Sequence, residues 1–271
     1  MPELPEVETV RQGLIQGFKG KTIRDVLIRR KGLRFPFPED IDSIAGRKII
    51  GIDRRAKYLL IRLEKNLTLL SHLGMTGRFG RTLEGKHDHV IIDFVDGERL
   101  VYTDPRRFGI MDLIRGPDEE HKLLSHLGPE PLGDDWNGDV LHKAIRKRNV
   151  SIKSALLDQK IVVGIGNIYA SEILFRSGVS PKKLAKNISR KKAQEICEEA
   201  KHVLLIAIEA GGSTLRDGQF KQIDGQLGYF PHEFTVYDRE GESCIHPNCQ
   251  KLVKRVVQSG RSTFYCTGCQ R

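Results

Sequence analysis

Four cysteines crowd the last thirty residues of the chain: Cys244, Cys249, Cys266 and Cys269. Four residues separate the first pair, two the second, and sixteen lie between the pairs. Two close thiol pairs at the ends of a hairpin-length segment suit one tetrahedral metal ion, and Zn²⁺ is the expected occupant in a reducing compartment. Two disulfides would instead belong to an oxidising one. The segment between the pairs holds Lys251, Lys254, Arg255 and Arg261, so the hairpin is basic and suits an anionic ligand. His246 could replace a cysteine as ligand, but reads better as a surface histidine in an enlarged knuckle. The fifth cysteine, Cys197, shares a helical face with Ala193, Ile196, Ala200, Val203, Leu204 and Ala207, which makes it a small buried residue.

Charge extends the same theme beyond the tail. Lys and Arg number 45 against 35 Asp and Glu, a formal net charge of +10, which points to a polyanionic partner. At 271 residues the chain is long enough for two domains. Apolar runs such as Val203 to Ile208 are far too short to cross a bilayer. No apolar leader follows the start, so the cytoplasm is the expected compartment, with no membrane partner.

Periodicity divides the chain. An N-terminal helix opens it, and up to about residue 130 the pattern is then β-rich. "HVIIDFVDGERLVYTD" reads as two strands around Asp96-Gly97, and "KYLLIRLEKNLTLLSHL" as a second pair. Pro, Gly and Asp concentrate in "LGPEPLGDDW" (127–136), which marks a linker. Helical segments follow: "DVLHKAIRKR", "SIKSALLD", "NIYASEILFRSG", and a long helix from about Lys191 to Ala210, stopped by Gly211 and Gly212. The expected fold is α+β: an N-terminal helix with a β-sandwich (1–131), a helical domain (132–235) and a zinc-binding β-hairpin (236–271).

Several short stretches carry chemistry. "MPELPEVETV" places Pro2 beside Glu3, with Glu6 one turn on; on spacing alone this is a helix start, favoured by Pro in the first turn and by acids near the positive dipole end. In "VVGIGNIYASE", Gly164 and Gly166 allow a tight turn and Asn167 is placed to cap the helix after it, whose free N–H groups suit a phosphate, with Lys153 nearby. "SHLGMTG" and "TDPRRFG" put Met75, Arg106 and Phe108 on loop tips, where side chains either wedge between bases or plug the core.

Together "PELPEVETV", "RRAKYLL", "SHLGMTG", "KHDHV", "YTDPRRFG", "HLGPEPL", "GIGNIYASE" and "GRSTFYCTGCQR" resemble the bacterial formamidopyrimidine-DNA glycosylases, in order from residue 2 to residue 271. The resemblance implies an enzyme that excises 8-oxoguanine and ring-opened purines from duplex DNA and then cleaves the abasic strand. It implies removal of Met1 and attack on C1′ by the secondary amine of Pro2, which expels the base and leaves an iminium as the electron sink for strand cleavage. An α-amino group titrates near pH 8, about two units below lysine, so part of it is nucleophilic at neutral pH. Glu3 is then the proton donor, its carboxyl expected to titrate higher through burial, and Glu6 a supporting carboxylate.

The other positions follow from the same resemblance. Lys57 serves β-elimination and phosphate contact. Arg261, on the zinc hairpin, contacts phosphate and serves δ-elimination. Met75, Arg106 and Phe108 fill the gap after base flipping, with Arg106 facing the orphaned cytosine. His72, His87, Lys153 and Asn167 contact DNA, as does Asn149, although relatives often carry a basic residue there. The frame "GGSTLRDG…DGQLGYF" (213–230) resembles a lesion-capping loop, with departures at several of its residues. The four-residue spacing of the first cysteine pair also departs from the two common in relatives. The expected cofactor is one structural Zn²⁺, the partner damaged duplex DNA, and the assembly a monomer. Two other readings stand at this point: the same chemistry on oxidised pyrimidines, as in the endonuclease VIII group, and a non-catalytic DNA-binding protein.

Overall fold

Apolar residues recur every three or four positions at the start of the chain, then every two. A computed structural model describes residues 2–213, 223–226, 228–230 and 234–271, and follows that change. Helix α1 (Leu4–Phe18) has Glu3 as its N-cap, in extended backbone, and Pro5 in its first turn. Leu4, Val7, Val10, Leu14 and Phe18 form its buried stripe.

By compactness the chain divides into two units. One holds the chain up to Ser125 together with Ala210–Tyr229, and the other holds His126–Glu209 with Phe230–Arg271. The expected segments 1–131, 132–235 and 236–271 follow sequence character rather than compactness.

The first unit is a β-sandwich. One antiparallel sheet has the order β2 (Ile49–Arg55), β3 (Tyr58–Leu63), β4 (Leu67–His72), β8 (Ile110–Ile114). The other has the order β1 (Ile23–Ile28), β6 (Asp88–Phe94), β7 (Arg99–Thr103), β5 (Arg78–Gly80). Leu59, Ile61 and Leu63 of β3 meet Val90, Ile92 and Phe94 of β6 in one apolar core, and Val7, Val10, Leu14 and Phe18 of α1 complete it. The period of two within each set is what aims the side chains at the same interior. Both expected hairpins form. Gly97 takes a positive φ between β6 and β7, and Lys65 and Asn66 do so between β3 and β4. Ile223 also belongs to this core, seated on Gly13 of α1, where an added Cβ would lie 3.3 Å from its Cδ1.

The second unit is helical and ends in a hairpin: α2 (Gly138–Ile145), α3 (Ile152–Leu156), α4 (Asn167–Arg176), α5 (Arg190–Glu209), then β9 (Val253–Gln258) and β10 (Arg261–Cys266). Residues 127–136 form neither helix nor strand. Helix α5 ends just before Gly211 and Gly212, both at positive φ. Two helices are shorter than their sequence patterns. Helix α2 ends at Ile145, before the cationic run Arg146 to Arg148, and α3 ends at Leu156. Asn137 and Ser151 cap them through their side chains. The cap expected at Asn167 falls one residue earlier, on Gly166, because the Asn167 side chain is used elsewhere. Cys197 is buried as expected, and burial pushes its thiol up to about 12. Among the described residues no helix is long and apolar enough to cross a membrane.

Phe18 stacks on Phe94 with ring centroids 5.1 Å apart, and the Arg81 guanidinium lies 4.9 Å over its ring. Replacing Phe18 with Ala is expected to destabilise the fold by about 3–5 kcal/mol through lost burial and a residual cavity, read from the urea midpoint. A loss under about 1 kcal/mol would show that the site collapses around the smaller side chain.

Candidate active site and nucleic-acid interface

Pro2, Glu3 and Glu6 sit together at the N-terminal end of α1, and all three are buried. Glu3 is 2% exposed and Glu6 1%. Two carboxylates at such depth need donors. Glu6 Oε2 accepts the N–H of Glu3 at 2.7 Å, and Glu3 and Glu6 form a reciprocal capping box. Glu6 Oε1 accepts both the N–H and the hydroxyl of Ser213, at 2.8 and 2.9 Å. The helix start is therefore tied to the first residue of the 213–230 segment. Residues 214–222 and 227, where most of the expected lesion-capping loop falls, lie outside the described residues.

Lys57 occupies the two-residue turn between β2 and β3, behind Ala56 at φ 54°, and is 7% exposed. Arg54 links this turn to α1: its Nε donates to Glu8 Oε2 and its Nη1 to the Ala56 carbonyl, both at 3.0 Å. Glu8 also pairs with Arg11; burial pushes its carboxyl up, but Arg11 and Arg54 outweigh that and hold it low. Across the β3–β4 register, Tyr58 faces His72, with rings 4.9 Å apart. Burial, then the charges of Lys57 and Arg34, push His72 down to about 4. Its Nδ1 accepts the Gly74 N–H at 3.0 Å, so the hydrogen of the neutral ring sits on Nε2.

Met75 lies on the turn after β4, Arg106 and Phe108 on the loop after β7, and His87 just before β6. Phe108 is 43% exposed and the Arg106 guanidinium stands 4.9 Å over its ring. The choice between core plug and loop tip thus falls on loop tip for Phe108. Met75 and His87 are half-buried.

The second unit holds the remaining positions. Lys153, expected at a DNA contact, is only 1% exposed. Its Nζ donates to Asn167 Oδ1 at 2.7 Å, to the Ser262 carbonyl at 3.0 Å and to Thr263 Oγ1 at 2.7 Å. Asn167 Nδ2 also donates to the Ser262 carbonyl, at 3.0 Å. This knot fixes the α4 start against β10, next to Arg261, which is exposed. Asn149 is exposed on the loop before α3 and takes no part in the knot.

At the foot of the hairpin the four cysteine sulfurs lie within 4.8 Å of one another. Cys244 and Cys269 are 3.6 Å apart, and Cys249 and Cys266 3.5 Å. A tetrahedral ion with metal–sulfur bonds of about 2.3 Å requires S···S edges of roughly 3.8 Å, so this donor set fits such an ion. His246 is not among the donors; its ring lies 5.1 Å from that of Phe175. Sequence reading missed Glu172, a buried acid of α4. Its carboxylate accepts the N–H groups of Thr235, Val236 and Tyr237 and the Thr235 hydroxyl, at 2.6 to 3.0 Å. The string "YASEILF" offered no sign of this, because all the donors come from more than sixty residues downstream.

The titration of His72 predicts a pH dependence. Its folded value lies below the unfolded one of about 6.5. As pH falls from there towards 4 the unfolded chain takes up a proton that the folded chain refuses, so stability is lost across that window. Urea midpoints measured from pH 7 to pH 4 are expected to fall less steeply for His72→Asn than for wild type. Parallel curves would exclude His72 as a source of the acid loss.

Comparison with known proteins agrees with this layout. The family model described as the formamidopyrimidine-DNA glycosylase N-terminal domain matches residues 1–111, and that described as the H2TH domain of the same enzyme matches residues 127–219. The formamidopyrimidine-DNA glycosylase of Ruegeria pomeroyi is 48% identical over 287 aligned positions, covering all of both chains. The crystal structure of the MutM (Fpg) protein of Thermus thermophilus superposes with a TM-score of 0.91 at 38% identity, covering 99% of this chain and 98% of that one. A Lactococcus lactis Fpg in complex with DNA containing N7-benzyl-Fapy-dG gives 0.89 at 32% identity, with both chains covered in full. A chain matched in this way across both of its units belongs to the formamidopyrimidine-DNA glycosylase family.

Proposed function

We propose that this chain is a base-excision repair enzyme that removes oxidised purines from duplex DNA and cleaves the resulting abasic strand, with Pro2 as nucleophile. The observation that carries the reading is the N-terminal end of α1, where Pro2 is buried beside two carboxylates whose positions are fixed by backbone donors. A helix start needs one acid near its dipole; two buried ones next to a terminal proline serve chemistry. Once Met1 is removed, the Pro2 amine attacks C1′ and the base leaves, taking a proton supplied by Glu3. Opening of the sugar yields an iminium on Pro2. That cation accepts the electron pair of the C2′–H bond as the C2′ proton is removed, and the enamine so formed expels the 3′-phosphate, which leaves with the C3′–O bonding pair. Glu6 holds the Glu3 backbone in place.

In this reading Lys57 takes part in β-elimination and Arg261 in δ-elimination and phosphate contact. His72, through its Nε2–H, His87, Asn149 and Asn167 serve as further DNA contacts. Lys153 acts through its partners: with its ammonium inside the knot, it orients Asn167 and the residues beside Arg261. Met75, Arg106 and Phe108 fill the space of the displaced nucleotide, which offsets part of the lost stacking. The oxidised-purine class is supported by the relatives that bind Fapy-dG and by the 213–230 frame, and it stands against the pyrimidine reading. The chain acts as a monomer in the cytoplasm, with one zinc ion structural in the hairpin.

Borohydride reduction during turnover of a duplex with one 8-oxoguanine opposite cytosine is expected to cross-link DNA to the peptide beginning at Pro2. Pro2→Gly is expected to abolish excision and leave duplex binding largely intact. Normal turnover by Pro2→Gly would overturn the nucleophile assignment, and trapping only on an oxidised pyrimidine would overturn the substrate class.

For the metal, about one zinc per chain is expected by elemental analysis, and Cys249→Ser is expected to lose it. Because thiolate–zinc bonds contribute folding energy outright, chelation should unfold the hairpin and abolish DNA binding. A metal-free chain that binds DNA normally would overturn the structural role.

A further inference from the structure

The two loop tips that follow β4 and β7 interlock. Thr76 Oγ1 donates to Asp104 Oδ1 at 2.6 Å and accepts the N–H of Arg106 at 3.1 Å. The other Asp104 oxygen accepts the Gly109 N–H at 2.8 Å, which closes its own loop. Thr76 and Asp104 are both buried. The backbones fit as closely as the side chains. A Cβ on Gly74, at φ 63°, would lie 2.4 Å from the Phe108 carbonyl carbon. Gly77 and Gly109 both pass over the Tyr102 hydroxyl, where an added Cβ would come within 2.2 and 1.9 Å of the oxygen. Asp104 also joins the segment before β6, since its N–H donates to the His87 carbonyl at 3.0 Å.

A carboxylate whose task was to close the 104–109 loop would need only its contact with Gly109. The second oxygen instead reaches a hydroxyl 28 residues upstream, and that hydroxyl in turn holds the Arg106 backbone. We propose that Thr76 and Asp104 are positioning residues for base displacement: their buried pair locks the two tips together, so that Met75, Arg106 and Phe108 enter the helix as one preassembled wedge. The inference rests on the reading above that these three side chains fill the gap. Side chains already held in place lose little freedom on insertion, and a wedge fixed by buried hydrogen bonds keeps its shape against the stacked duplex.

The test separates this brace from general loop support. Excision is measured on a duplex with one 8-oxoguanine opposite cytosine, and strand cleavage on a single strand with a preformed abasic site, where no base has to be displaced. Thr76→Val keeps the shape and removes the hydroxyl; it is expected to lower kcat/KM for excision roughly tenfold or more, as small misplacements near a reacting centre do. Cleavage of the abasic single strand should stay within about twofold, and Thr76→Ser should restore most of the excision, because the hydroxyl is what orients the tips. In a Phe108→Ala background, where the wedge is already broken, Thr76→Val should add little, since the two residues act on one step. Excision by Thr76→Val within about twofold of wild type overturns the brace, and so does an equal fall in both reactions or full additivity with Phe108→Ala. A Phe108→Ala variant that excises like wild type overturns the wedge reading and the brace with it. Loss in Phe108→Ala without loss in Thr76→Val overturns the brace alone.

Discussion

Glu6 carries the constraint on which the N-terminal site depends. A carboxylate taken this far out of water is tolerated only when both oxygens find donors, and here they divide the work. One holds the Glu3 N–H, which sets where the chain's end emerges; the other holds Ser213, which sets where the 213–230 segment departs. Helix α1 can meet these demands because Val7, Val10, Leu14 and Phe18 of its apolar stripe are buried in the same core as the strands of the sandwich. The core therefore supplies the rigidity, and Glu6 turns it into a defined position for the chain at Pro2 and Glu3.

The same economy governs the helical unit. Lys153 and Glu172 are charged groups inside the protein, and each joins elements far apart in sequence through hydrogen bonds to backbone and hydroxyl groups. Lys153 joins α3, the start of α4 and β10; Glu172 joins α4 to residues 235–237. The hairpin is thus held along its strand by Lys153, and Arg261 extends from a strand with little freedom to shift.

Much of this was legible in the sequence, for physical reasons. The turn at Asp96-Gly97, the irregular stretch at 127–136 and the stop at Gly211-Gly212 are local events decided by backbone preferences, and they appear where the residues say. The four cysteines could be grouped because two close pairs across a hairpin leave one geometry. What the string concealed was partnership at a distance. Asn167 looked like a cap because Asn before a helix usually is one; only the approach of Ser262, 95 residues on, gives its amide another use. Lys153 reads from the sequence as a phosphate contact beside that helix start; only the approach of Ser262 and Thr263 gives its ammonium another use. Thr76 and Asp104 lay inside stretches already singled out, yet nothing local said that they touch.

Glu172 has one more consequence. Its carboxylate is balanced by three N–H groups and a hydroxyl, and among the described residues no ion pair involves it. Dissolved ions screen exposed charges well and buried dipoles hardly at all. The lysines and arginines on the surface lose their hold on phosphate as ionic strength rises, while the joint at Glu172 feels almost nothing. Grip and scaffold answer to different forces, so brine that strips the protein from its polymer leaves the shape of the helical unit ready to take hold again.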